Sequence, residues 1–161
     1  MKIRNELHSE DRAPLAALLQ ATGFFNAQEL EVALELVDDR LAHGEASHYR
    51  FLVLEAGDEV VGYACWGPIP GTLASADLYW IAVHPGRQGQ GLGRTILDAA
   101  ETGIAREGRT RVYLETSSRP QYAPTRAFYL RCGYEVAAEL PEFYAPGDGK
   151  VIFLKILPRL H

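Results

Sequence analysis

The chain has 161 residues, 47% of them hydrophobic and 23% charged, with a formal net charge of −5 and a pI near 5.5. That length and balance fit one globular domain over residues 1–161 with a single sizeable core. An acidic chain without a Lys/Arg run lacks the basic face of a general nucleic-acid or anionic-membrane binder, so neither partner is expected. Cys65 and Cys132 lie far apart without metal-ligand spacing. They read as two buried thiols in a reducing compartment, with one disulfide as the alternative, and no metal is expected. The opening MKIRNELHSEDR is too polar for a signal peptide, and no apolar run reaches membrane-spanning length. A cytoplasmic location is the expectation.

Residues 2–5 suit a short strand. HSEDRAPLAALLQATG then offers Ser9 or Asp11 as an N-cap, Pro14 in the first turn and Gly23 as a stop. Asn26 with Glu29 three residues on predicts a capping box, and Leu30, Leu34, Val37 and Leu41 follow at helical spacing up to Gly44. HYRFLVLEAG and EVVGYACWG, joined at Gly57-Asp58, predict a hairpin. A strand over 75–83 leads into HPGRQGQGLGR, after which Leu92, Ile96, Ala100 and Ile104 mark one helix face with Gly108 beyond its end. RVYLET (111–116) completes a β-α-β unit whose strands are most simply parallel. Pro124 opens a short helix through Ala127, Phe128 and Leu130 that Gly133 stops. Strands near 134–140 and 150–157, joined by a loop containing Pro-Gly-Asp-Gly, close the chain. The sum is an α/β (α+β) fold with a mixed sheet, antiparallel hairpins first and last and a parallel crossover between.

Four glycines in the eleven residues 84–94 weaken any regular element, so the turn they form asks for another reason. A strand that ends in such a turn and restarts as a helix aims free N–H groups and a positive helix end at one place, where phosphate is the natural guest. Neither the Walker pattern nor GxGxxG is present: Gly89-Gln-Gly91 meets Arg94 at the third position and Gly91-Leu-Gly93 meets Ile96. A tight turn that binds nothing is the bland alternative. Charge argues against it. No Asp or Glu occurs from Leu78 through Leu97, which carries Arg87 and Arg94. None occurs from Thr116 through Tyr134, which carries Arg119, Arg126 and Arg131. Both segments follow the parallel strands, where α/β sheets gather ligands, so a polyanion shared by the two is expected.

The stretch from Ile81 to Arg94, with Gln88, Gly91 and Gly93 in fixed positions, resembles the acetyl-CoA motif Q/R-x-x-G-x-G/A of the GNAT N-acetyltransferases. Ala127-Phe-Tyr129-Leu-Arg-Cys-Gly133-Tyr134 is similar to that family's short helix with its tyrosine and following Gly-aromatic pair. The resemblance covers about residues 48–157. It implies a GNAT-like, mostly antiparallel sheet with a central splayed parallel pair, flanked by helices, and acetyl-CoA as cosubstrate. Backbone of Gly89, Gln90, Gly91, Leu92, Gly93 and Arg94 would cradle the diphosphate, with Gln88 before them and Arg87 or Arg94 at the rim. Ile81, Ala82 and Val83 would pair with the pantetheine arm and supply an N–H for the developing oxyanion. Many members carry an asparagine seven residues before the tyrosine; Tyr122 stands there, so that role is not transferred.

Acetyl transfer to an amine must take a proton from an ammonium and steady a departing thiolate. The resemblance places Tyr129 as the general acid, a core tyrosine being the bland reading. Glu115, at the end of VYLET, and Asp77, on the other central strand, are the candidate bases, with a sheet-edge carboxylate or ion-pair partner as the alternative for each. Tyr79 offers a water-mediated link to either. His84 reads as a turn residue, and Trp66 and Trp80 as core or cleft wall. PEFYAPGDG (141–149) is either hairpin chemistry or a lid over the acceptor. The implied acceptor is an amine-bearing small molecule or a peptide or protein amino group, and homodimerisation is common in the family. The reading from another class is a non-catalytic acyl-CoA-binding sensor or scaffold.

Overall fold

The computed structural model describes residues 1–160. Its elements run β1 (Lys2–Arg4), α1 (Arg12–Thr22), α2 (Ala27–His43), β2 (Arg50–Ala56), β3 (Glu59–Pro68), β4 (Ser75–Val83), α3 (Leu92–Arg106), β5 (Arg111–Ser117), α4 (Ala123–Arg131), β6 (Glu135–Ala145) and β7 (Asp148–Ile156). The strands pair in the order β1-β2-β3-β4-β5-β7-β6. The β4–β5 ladder is parallel, and those of β1–β2, β2–β3, β5–β7 and β6–β7 are antiparallel. The chain falls into two compact units, Met1–Pro68 with Leu78–Gly103, and Ile69–Asp77 with Ile104 onward.

In the first unit, local chemistry sets the helix ends. The Asn26 side chain accepts the Glu29 N–H at 2.8 Å while the Glu29 carboxylate accepts the Asn26 N–H at 3.4 Å, so both members of the box close. Gly23 ends α1 at φ 73°. Leu15, Leu18 and Leu19 of α1 and Ala33 and Val37 of α2 are buried in one cluster with Phe51, Tyr63, Cys65 and Ala82 from the sheet. Close packing of α3 on the sheet rests on Gly62, where a Cβ would stand 2.6 Å from Ile96 Cδ1 and 3.1 Å from the Ala82 carbonyl oxygen. A Cβ at Gly103 would likewise press on the Trp66 ring at 3.1 Å. Trp66 is core, and Trp80 is half-buried with its ring edge against Phe25 at 5.2 Å.

In the second unit, β5 alternates, with Val112, Leu114 and Thr116 buried. Register pairs Leu114 with Phe153 and Glu115 with Ile152, so β5 and β7 share one buried face and one more open face. Tyr129 packs on the buried face through Phe153, at 5.9 Å between ring centroids. The last hairpin departs from expectation. Its arms reach Ala145 and Asp148, leaving only Pro146-Gly147 as the turn, with Gly147 at φ 76°. The segment 141–145 therefore extends the hairpin rather than forming a loop of its own. Pro141 hid this in the sequence, but β6 is an edge strand, where a missing N–H is tolerated. The strand absorbs the irregularity by a register shift between Leu140 and Ala145, with Glu142 at φ 55°. Both cysteines are buried, and neither is in a disulfide. Among the described residues, no helix is long and apolar enough to cross a membrane.

Candidate active site

The glycine turn of the first unit is built from two left-handed residues. Gly89 and Gly91 have φ of 79° and 77°, while Gln90 between them does not share the positive φ. A Cβ at either glycine would meet nothing within 4 Å, so it is the sign of φ, not crowding by the chain, that demands glycine. Such alternation turns successive N–H groups toward one side. The His84 Nδ1 accepts the Gly86 N–H at 3.0 Å and caps the short 3-10 turn Pro85–Arg87, which makes it the turn residue expected. The helical ladder of α3 begins with the Thr95 N–H donating to Gly91 at 3.1 Å. Helix geometry gives the N–H groups of Leu92, Gly93 and Arg94 no intrahelical acceptor. Ile81 and Val83 are half-buried at the end of β4, and Ala82 is buried.

The arginines divide. Gln88 and Arg94 are exposed beside the turn, whereas Arg87 faces Glu59 at 3.6 Å. In the second unit Arg126 donates to the carbonyls of Ser117 and Arg119 at 2.7 and 3.0 Å, bracing the loop after β5. Arg119 faces Asp148 at 3.5 Å and lies over the Tyr122 ring at 5.6 Å. The acid-free segment after β5 thus spends two of its three arginines on its own loop, a use that composition does not distinguish from anion binding.

Asp77 and Glu115 come together in the second unit. Asp77 pairs in register with Tyr113, and Glu115 follows Tyr113 by two residues, so the two carboxylates stand on one face of the β4–β5 pair. That parallel ladder holds only Ser75–Asp77 against Arg111–Tyr113, though the strands have nine and seven residues. Sequence reasoning missed Lys150, whose Nζ lies 2.6 Å from Glu115 Oε2 and 4.2 Å from the Phe143 ring centroid. Only strand register brings these three together, and no local pattern announces it.

Tyr129 occupies the opposite face of β5–β7. It is 5% exposed, with ring contacts to Phe128, Tyr134 and Phe153. Burial, and secondarily Cys132, push its phenol well above the usual tyrosine range, so it keeps its proton at neutral pH. Thr116 Oγ1, on that same face of β5, is buried without a hydrogen-bond partner. A second constellation unforeseen in the sequence lies in the first unit, where His48 Nε2 and the Tyr79 hydroxyl are 3.2 Å apart.

The comparisons with known proteins bear on what such parts do. A family model described as an acetyltransferase (GNAT) domain matches residues 47–136, more than half of the chain. A mycothiol acetyltransferase from Beutenbergia cavernae is 31% identical over 141 residues, 86% of this chain, which spans only 46% of that relative's length. A GNAT-family protein of known structure from Desulfovibrio desulfuricans is 41% identical with a TM-score of 0.95, covering 98% of this chain and 99% of its own. An aminoglycoside 6'-N-acetyltransferase complexed with coenzyme A shares the fold at a TM-score of 0.78 and 18% identity over the full length of both chains. Family match, strand order and glycine turn agree, and this chain belongs to the GNAT acetyltransferases.

Proposed function

We propose that the protein transfers an acetyl group from acetyl-CoA to a primary amine, directly and with both substrates bound. The observation that carries this reading is the turn at Gly89 and Gly91, left-handed at both glycines and leading into α3 through a segment free of acids. Such a turn suits a diphosphate: donors without intrahelical acceptors, a positive helix end, and open space where a side chain would stand. Acetyl-CoA, when bound, supplies an activated thioester; the chain's own residues orient it and handle protons and charge. Gly89 to Arg94 would hold the diphosphate, with Gln88 and Arg94 at its edge, and Ile81 to Val83 would offer backbone to the arm.

Tyr129 would donate a hydrogen bond to the departing sulfur. Its raised pKa keeps the donor present, and it makes hydrogen-bond support easier than full proton transfer. Asp77 and Glu115 would draw the acceptor's ammonium to the other face of β5, consistent with a cationic small molecule or a peptide amino group. One Glu115 oxygen is already engaged by Lys150, which suits a charge partner for the substrate better than a roaming base.

The test is calorimetric titration of acetyl-CoA, followed by thiol release across a panel of alkylamines, amino acid amides and peptides. Saturable binding and amine-dependent thiol release are expected. Tyr129→Phe should lower kcat about 100-fold with acetyl-CoA affinity unchanged. No heat of binding would overturn the reading. Binding without thiol release from any amine would leave an acyl-CoA-binding scaffold instead.

A further inference from the structure

His48 and Tyr79 form a built couple in the first unit. Their Nε2 and Oη atoms are 3.2 Å apart, and the ring of Tyr49 meets both edge-on, at 5.3 Å from His48 and 5.4 Å from Tyr79. The imidazole lies on β3 only because residue 67 is glycine: a Cβ there would stand 2.6 Å from the His48 carbonyl oxygen and 3.3 Å from the ring. Arg50 Nη1 donates to that carbonyl at 2.9 Å, and Ser47 Oγ donates to Asp39 at 2.6 Å while accepting the Tyr49 N–H at 3.1 Å. Backbone, guanidinium and aromatic rings therefore hold this histidine on several sides.

Tyr79 is half-buried on β4. Tyr79 and Trp80 are neighbours in β4, and both pack against the cluster of α1, α2 and the sheet. Tyr79 precedes Ile81 by two residues, about 7 Å along a strand.

We propose that the Tyr79 hydroxyl takes the proton shed by the acceptor ammonium while passing its own phenolic proton to Nε2 of His48. This rests on the transferase reading and names the proton exit it needs. The ammonium N–H bond breaks and its electron pair stays on nitrogen; a new O–H forms on Tyr79 as its original proton moves to the imidazole. The products are a neutral amine, a neutral tyrosine and an imidazolium, so charge balances. Tyr79 is the catalytic residue of this step, and His48 is a positioning residue that acts through it.

Imidazole as a class titrates nearer neutrality than a carboxylate, which favours it as a proton acceptor at pH 7. The charged groups of this corner are mixed. From α2, Asp39 and Glu35 act on Tyr49, whose phenol is raised by burial first and then by Asp39, Cys65 and Glu35. Arg50 on β2 lies against the His48 carbonyl, and Cys65 on β3 is buried.

The test compares benzylamine, an ammonium at pH 7, with aniline, which is already neutral. Thiol release is measured at saturating acetyl-CoA from pH 6 to 10. Tyr79→Phe should lower kcat with benzylamine about 100-fold and His48→Gln about tenfold at pH 7, both defects shrinking as pH rises. With aniline both variants should stay within about threefold of the parent. Equal losses with the two amines, or no loss with benzylamine, would overturn the couple's role and leave the transferase reading intact. Parent protein that binds acetyl-CoA yet releases no thiol with any amine of the panel, benzylamine and glycinamide included, would overturn both. Melting temperature and acetyl-CoA affinity, expected unchanged in Tyr79→Phe, separate the effect from misfolding.

Discussion

Glu115 shows how a residue can be found in the sequence while its circumstances are not. Its place at the end of VYLET marks it; the partner of its carboxylate, Lys150, stands 35 positions later. On the proposed reading, Glu115, with one oxygen engaged by Lys150 and its side chain 54% exposed, is the charge partner of the acceptor's ammonium. Replacement by Gln keeps the shape and removes the charge. Steady-state kinetics of Glu115→Gln should show the KM for a cationic amine raised about tenfold with kcat within about threefold, the signature of lost binding shared by ground and transition states. A fall in kcat that recovers at high pH would instead make Glu115 the base. Tyr129 was equally legible from its motif, but its burial between Tyr134 and Phe153 comes from packing that residues far apart in sequence create.

At the scale of elements, strong local signals were read correctly. The Asn26–Glu29 box, the Gly57-Asp58 turn, the apolar face of α3 and the parallel strand after it all stand where periodicity and turn chemistry put them. The final hairpin was not, because Pro141 and Gly147 look alike as breakers until pairing shows that one sits in an edge strand and the other in the turn. The glycine turn can be tested as an element. Gly91→Ala must force an alanine to φ near 77°, a cost of about 1–2 kcal/mol that should lower Tm by a few degrees. Calorimetry should also show acetyl-CoA binding weakened at least about tenfold. Gly23→Ala imposes a similar φ strain, at 73° with nothing within 4 Å, and should cost similar stability while leaving acetyl-CoA affinity unchanged.

Across the whole chain, stability depends on contacts that join its beginning to later strands. Arg4 pairs with Asp11 at 2.8 Å and with Glu55 at 2.6 Å, and Asp11 also accepts the His8 N–H at 2.7 Å. Burial alone would push the Asp11 carboxyl up, but hydrogen bonds from Arg4 and His8 outweigh it and hold it below the usual range. A depressed folded-state pKa contributes stability that is present above the unfolded value of 3.8 and is lost as pH falls through the folded one. Asp11→Asn should therefore cost about 2 kcal/mol at pH 7, since it removes one of the two carboxylates that pair with the largely buried Arg4 guanidinium. In urea melts the gap between parent and variant should narrow from about pH 4 downward. A gap unchanged between pH 7 and pH 2.5 would show that the ion pair is not its source.

Taken alone, the sequence determined the identity and order of the elements, the glycine turn before α3 and the tyrosine of α4, because capping, periodicity and the backbone freedom of glycine act over a few residues. Register and packing decided the rest: Lys150 beside Glu115, Asp77 and Glu115 on one face with Tyr129 on the other, the arginines of the β5 loop turned inward, and His48 against Tyr79. Each of those depends on which strands lie side by side and which side chains share a face. That information belongs to pairings between distant segments, and it exists only once the chain has folded.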